Sequence, residues 1–126
     1  MSNIFILILL FLSQNCVNSS KPKLVEFFKT QSRNRFSKFK LSCLIEDSFS
    51  KPLEFKWFFN GQEIDDSFLK KEFKNTQKNN LIIEIFDDES VLKIERLEAS
   101  NSGNYSCRAQ NRFGNDVQSL ILVVKG

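Results

Sequence analysis

The residues best suited to chemistry in this sequence are three cysteines, Cys16, Cys43 and Cys107. Histidine is absent. That removes His-ligated metals, Ser-His and Cys-His nucleophile pairs, and the commonest general base near neutral pH. Asp65-Asp66 and Asp87-Asp88 are carboxylate pairs of a kind that could hold calcium, yet each lies beside turn residues, where solvated carboxylates are ordinary. Asn104-Tyr105-Ser106 and Asn18-Ser19-Ser20 both have the pattern of an N-glycosylation acceptor. The chemistry on offer is thiol oxidation and sugar attachment. No enzyme, metal site or cofactor is expected.

Both reactions belong to the secretory route, and the N-terminus points the same way. Residues 1–20 carry no charged side chain, and residues 4–12 are an unbroken apolar run. As a helix this run is about 14 Å long, roughly half of a bilayer core, too short to anchor a protein. A signal peptide over residues 1–19 is expected, with Val17 third and Ser19 last before the cut, and a mature domain over residues 20–126. The stretch before the apolar run lacks Lys and Arg, a departure from the usual signal pattern. No second run of spanning length follows, so no transmembrane anchor is expected in this chain. Cleavage removes Cys16 and voids the first sequon. It leaves Cys43 and Cys107, either as one pair in an oxidising compartment or as two separate buried thiols.

The elements that must carry these residues are strands. The chain has 126 residues, 41% of them hydrophobic, with 14 Phe against 4 Gly and 2 Pro, which suits one folded domain and excludes a disordered chain. From Lys21 onward the apolar pattern has mostly period two, interrupted by turn chemistry, as short antiparallel strands require. Phe39, Leu41, Cys43 and Ile45 share one face; Phe55, Trp57 and Phe59 share another before the Asn60-Gly61 turn. Leu81, Ile83 and Ile85 are read as inward and form a hairpin with residues 91–95 through Asp87-Asp88. Tyr105, Cys107 and Ala109 point one way, and residues 117–124 form a last strand of ambiguous parity. The single helical signal is one turn at residues 97–102. Two half-covered sheets face to face would bury all the inward faces, with the two cysteines between them and Trp57 alongside.

This constellation resembles an immunoglobulin domain of the intermediate set. The matching residues are Cys43, Trp57 in Phe-Lys-Trp-Phe-Phe-Asn-Gly, Leu92-Lys93-Ile94, and Asn-Ser-Gly-Asn-Tyr-Ser-Cys at residues 101–107, followed by Ala109, Asn111 and Gly114. The resemblance implies an all-β, two-sheet antiparallel sandwich with one inter-sheet disulfide, Cys43–Cys107. It also implies a core role for Trp57 and Leu92, and a tyrosine corner at Tyr105. Residues 52–64 together with 102–107 are similar to the domains of arthropod Down syndrome cell adhesion molecules, and less closely to neuregulin-type domains. These resemblances imply recognition by protein contact, often homophilic, in neural wiring or arthropod immunity. Asn101 stands where the family usually has Asp, which replaces an ion pair with a hydrogen bond at best.

Recognition needs an exposed surface. If alternation holds, Leu44, Ile82 and Phe86 face outward beside Glu84 and Lys93, and this face is the candidate interface for a protein partner or a second copy, with Phe86 at its centre. The competing patch on the opposite sheet is Phe58 with either Ile121 and Val123 or Leu120 and Leu122. Residues 21–40 hold seven Lys or Arg against Glu26 alone, and residues 70–78 hold four Lys against Glu72. A sulfated glycan is therefore the alternative partner, through Lys70, Lys71 and Lys74 among others. Nucleic acid is not expected as a partner. Asn104 alternates outward from Tyr105 and is the candidate glycosylation site.

Overall fold

The computed structural model describes residues 20–46, 53–65 and 81–126. The expected leader and the polar connector at residues 70–80 lie outside the described residues. Among the described residues eight strands form two facing sheets: β1 (Thr30–Asn34), β2 (Phe39–Leu44), β3 (Glu54–Phe59), β4 (Gln62–Glu63), β5 (Leu81–Ile85), β6 (Glu89–Ile94), β7 (Gly103–Asn111) and β8 (Gly114–Lys125). One sheet has the order β1-β8-β7-β3-β4 and the other β2-β6-β5. The expected sandwich is present, and the helical signal is a 3₁₀ turn at Ala99–Asn101.

Alternation decides the packing. In β2, Phe39, Leu41 and Cys43 are buried while Lys40, Ser42 and Leu44 are exposed. In β8 the ambiguous parity resolves with Leu120 and Leu122 buried and Ile121 and Val123 outside. Asn60 and Gly61 both take positive φ, 50° and 84°, the two left-handed positions that a two-residue hairpin turn needs between β3 and β4.

Four buried residues close a ring across the two sheets. Cys43 and Cys107 are joined by a disulfide. Trp57 is the register partner of Cys107, and Ser90 is the register partner of Cys43. The Trp57 indole Nε1–H donates to Ser90 Oγ at 2.8 Å, and Ser90 donates onward to the carbonyl of Glu84. One covalent link and one hydrogen bond therefore run side by side between the layers. Ser90 is wholly buried, so its hydroxyl needs both partners to offset desolvation.

Ile85 is a correction to the alternation reading. It was expected inward, and it is 62% exposed. It ends β5, the outermost strand of its sheet, opposite Ser90, where little packs over an inward side chain. Leu81 and Ile83 do pack against the core, half-buried.

The N-terminal segment and β1 were not read from the sequence. Residues 23–25 lie along the free edge of β2, with Leu24 bridged to Ile45 and Val25 N–H donating to the Leu44 carbonyl at 2.9 Å. The chain then crosses to the other sheet, where β1 pairs with β8 in parallel, the one parallel pairing among the described strands. Side chains hold the crossing: the Asp116 carboxylate accepts from Leu24 N–H at 2.8 Å, and Gln118 Oε1 accepts from Phe27 N–H at 3.2 Å. Phe27 stacks on Trp57 with ring centroids 6.5 Å apart. β1 reads Thr-Gln-Ser-Arg-Asn and buries little, so it carries no apolar alternation to betray it.

Tyr105 locks the corner entering β7. Its hydroxyl donates to the Asn101 carbonyl at 2.7 Å, and its ring lies 4.9 Å from that of Phe59. Asn101 is buried, and its side-chain oxygen accepts from Glu98 N–H at 2.7 Å, so the residue that departs from the family pattern braces the 3₁₀ turn. Burial pushes the Tyr105 phenol well above its ordinary ionisation range.

Two outcomes follow from this core. Replacing both Cys43 and Cys107 with Ala should cost about 4 kcal/mol in the chain-entropy model, given a sequence separation of 64. Urea unfolding with and without reductant measures that loss. Tyr105 is the sole tyrosine. Its folded ionisation lies above its unfolded one, so the contribution is complete below about pH 10 and is lost as pH climbs from there, because the unfolded chain releases the proton first. Urea midpoints at about pH 8 and about pH 11 should fall further for the native chain than for Tyr105→Phe.

Candidate recognition surfaces

The outer face of the three-stranded sheet carries the candidate interface residues. Strand register arranges them in rows. At one end Leu44 lies opposite Glu89, and Phe86 N–H donates to the Glu89 carbonyl, with Asp87 and Asp88 in the adjoining turn. At the other end Lys40, Lys93 and Ile82 lie abreast. Between them Ser42, Val91 and Glu84 form the middle row. Leu44, Ile82 and Phe86 are all exposed.

Phe86 was expected at the centre of this face, and the structure puts it at the hairpin end. The centre is Val91, which points outward by parity yet is only 4% exposed, beside the Lys93–Glu84 ion pair. Ile82 and Phe86 lie four residues apart, roughly 13 Å along the strand, with that ion pair between them. The face is thus two apolar ends around a salt-bridged middle. One end is acidic through Asp87, Asp88 and Glu89, and the other is basic through Lys40, the charge of Lys93 there being matched by Glu84.

On the five-stranded sheet the outward residues include Phe58, Ser106, Ser119, Ile121 and Val123. Ile121 is 50% exposed and Val123 is also exposed; Phe58 is half-buried. Ser106 and Ser119 share a hydroxyl hydrogen bond at 2.7 Å. The Arg108 guanidinium lies over Phe58 at 5.4 Å. Lys56 holds Glu54 and Glu63 at 3.7 and 3.4 Å. Asn104 is exposed on this face and is the register partner of Ile121.

Carboxylates among the described residues engage three of the seven basic side chains at residues 21–40. Lys23 pairs with Glu46, Lys38 with Glu95 and Arg35 with Glu98. Phe36 is the exception that sequence reading missed. It sits at φ 72°, a left-handed backbone that bulky residues seldom adopt, and is 49% exposed between the guanidinium groups of Arg35 at 4.6 Å and Arg96 at 4.1 Å. Its N–H donates to the Leu97 carbonyl and Leu97 N–H returns to Ser37, which fixes the turn. Arg35 and Arg96 share Glu98, leaving a surplus positive charge at this end of the sandwich. Lys70, Lys71 and Lys74 lie outside the described residues.

A cleft of about 560 Å³ runs beside the N-terminal segment, lined by Leu24, Glu26, Glu46, Asp116 and Gln118. Its Asp116 carboxylate is already engaged by backbone. Among the described residues no group of three or more His, Cys, Asp or Glu could hold a metal, and no helix is long and apolar enough to cross a membrane.

Comparison with known proteins agrees with this architecture. A family model described as an immunoglobulin domain matches residues 21–111. Human pro-neuregulin-1, membrane-bound isoform, is 30% identical over 103 residues, covering 82% of this chain and 14% of that protein. The Drosophila melanogaster cell adhesion molecule Dscam1 is 29% identical over 106 residues, covering 82% of this chain and 5% of that protein. The chain therefore spans a small part of the curated relatives it matches. The neuregulin and Dscam likenesses stand level in identity. The crystal structure of the Dscam1 Ig7 domain superposes with a TM-score of 0.65 at 19% identity, over 83% of this chain and 97% of that one.

Proposed function

The chain belongs to the immunoglobulin-domain family, and on that footing we propose that it is an exported recognition domain that binds a second copy of itself through the outer face of β2-β6-β5. Export removes residues 1–19 and leaves a domain over residues 20–126. The Cys43–Cys107 disulfide supports that route, because such bonds persist in oxidising compartments. The role that fits is adhesion or immune recognition of the arthropod type, in keeping with the adhesion molecule among its relatives.

The observation that carries the self-pairing is the bipolar layout of the face. A two-fold axis lying in the interface, across the strands, sets the acidic end of one copy on the basic end of the other. Phe86 and Leu44 then meet the Ile82 end of the partner copy, with Asp87, Asp88 and Glu89 facing Lys40. Apolar contact and charge pairing are satisfied together, as an isologous interface requires. Exposed charges at such a rim steer and orient, and added salt weakens them.

A second reading rests on the Arg35-Phe36-Arg96 cluster. Two guanidinium groups sharing one carboxylate around an exposed ring offer a docking point to a sulfated glycan, the class of ligand that planar, permanently charged donors suit. In this role the domain would modulate a receptor or growth factor rather than pair with itself.

Sedimentation velocity over a range of concentrations separates the two. Self-pairing should give a concentration-dependent dimer, weakened at least tenfold by Phe86→Asp, weakened by added salt, and weakened by Lys40→Glu. A monomer at every concentration would overturn it. Heparin chromatography reads the second: joint Arg35→Ala and Arg96→Ala substitution should lower the eluting salt, and unchanged retention would reject that site.

A further inference from the structure

The five-stranded sheet leaves Phe58, Ile121 and Val123 exposed or half-exposed on its outer face, and the sequence places a sugar acceptor among them. Asn104 lies at the start of β7 with its side chain on that same face. Register sets it directly opposite Ile121. Val123 is two residues along β8, and Phe58 lies opposite Ser106, two residues along β7, so both are roughly 7 Å away by strand rise. The backbone here is held firmly: Asn104 N–H donates to Asn60 Oδ1 at 2.9 Å, and Asn60 N–H donates to the Asn104 carbonyl at 2.8 Å. A group attached to Asn104 would project from a rigid platform over its apolar neighbours.

We infer that Asn104 carries an N-linked glycan that covers Phe58, Ile121 and Val123, so that the five-stranded face is shielded by sugar and protein contact is confined to the three-stranded face. The attachment is a group transfer. The Asn104 carboxamide nitrogen displaces a lipid pyrophosphate from the anomeric carbon of an oligosaccharide donor. A C–N bond forms, the C–O bond to pyrophosphate breaks with its electron pair, and one amide proton is released; nothing is oxidised or reduced. A bulky hydrophilic chain rooted beside Ile121 hides the patch from other proteins and keeps the domain soluble. The three-stranded face bears no acceptor sequence among its described residues, which is the asymmetry the proposal predicts. The inference rests on the export reading above, because the donor is met only on the secretory route.

The test uses the full chain in a eukaryotic secretory host, expressed both with its own N-terminus and with a strong secretory leader added ahead of all 126 residues. Enzymatic removal of N-glycans should lower the mass of the native chain, while Asn104→Gln and Ser106→Ala should show no shift and Ser106→Thr should retain it. Removing the sugar from folded protein should raise binding of an apolar dye severalfold, and Ile121→Ser together with Val123→Ser should reverse that rise. An unmodified Asn104 in exported protein overturns the proposal, as does a sugar whose removal leaves dye binding unchanged. A chain that is glycosylated only with the added leader supports the proposal while refuting export by its own N-terminus.

Discussion

Two sheets, each covered on one face only, must be kept in contact, and a ring of four residues does this. Cys43 and Cys107 supply the covalent arm. Trp57 and Ser90, the register neighbours of those cysteines, supply the hydrogen-bonded arm. The disulfide acts mainly by restricting the unfolded chain, and the indole fills the space around it. A wholly buried serine would be a liability elsewhere. Here it accepts from the indole and donates to the Glu84 carbonyl, so the polar atoms are spent within the core.

Edges are the second constraint. The N-terminal segment lies first along β2 and then continues as β1 beside β8, so one strand's length of chain protects an edge of each sheet. The crossing is fixed by side chains of β8, Asp116 and Gln118, and by Phe27 stacking on Trp57. With one edge of each sheet covered and the interior closed, the outer faces and the sandwich ends are among the surfaces that remain for recognition. Those surfaces differ in kind. One face is polarised in charge from end to end, the other pairs apolar residues with a sugar acceptor, and the turn at Phe36 gathers arginines around a strained aromatic.

Much of this was readable from residue order. Strands β2, β3, β6 and β7 announce themselves because alternating burial writes a period of two into the sequence, and the Asn60-Gly61 turn because left-handed backbone selects those residues. β1 was not readable: it is held by backbone pairing to β8 with little buried side chain, so nothing apolar marks it. Phe36 was equally silent, since its φ is imposed by hydrogen bonds to Leu97 and Ser37 rather than by its own type. The candidate interface residues were named, but their grouping was not. Alternation says which way a side chain points; only cross-strand register says which others it meets, and that register separates Phe86 from Ile82 by an ion pair.

By itself, the sequence determined the two-sheet fold class, the inward faces that carry Cys43, Cys107, Trp57 and Tyr105, and the parity of most strands, because each of these is a local consequence of residue type and spacing. Only the tertiary structure decided that Ser90 receives the indole, that Val91 lies beneath an ostensibly exposed face, that the last strand turns Ile121 outward beside Asn104, and that one surface is acidic at one end and basic at the other. These depend on which residues become neighbours across strands distant in the chain, and no local pattern encodes that pairing.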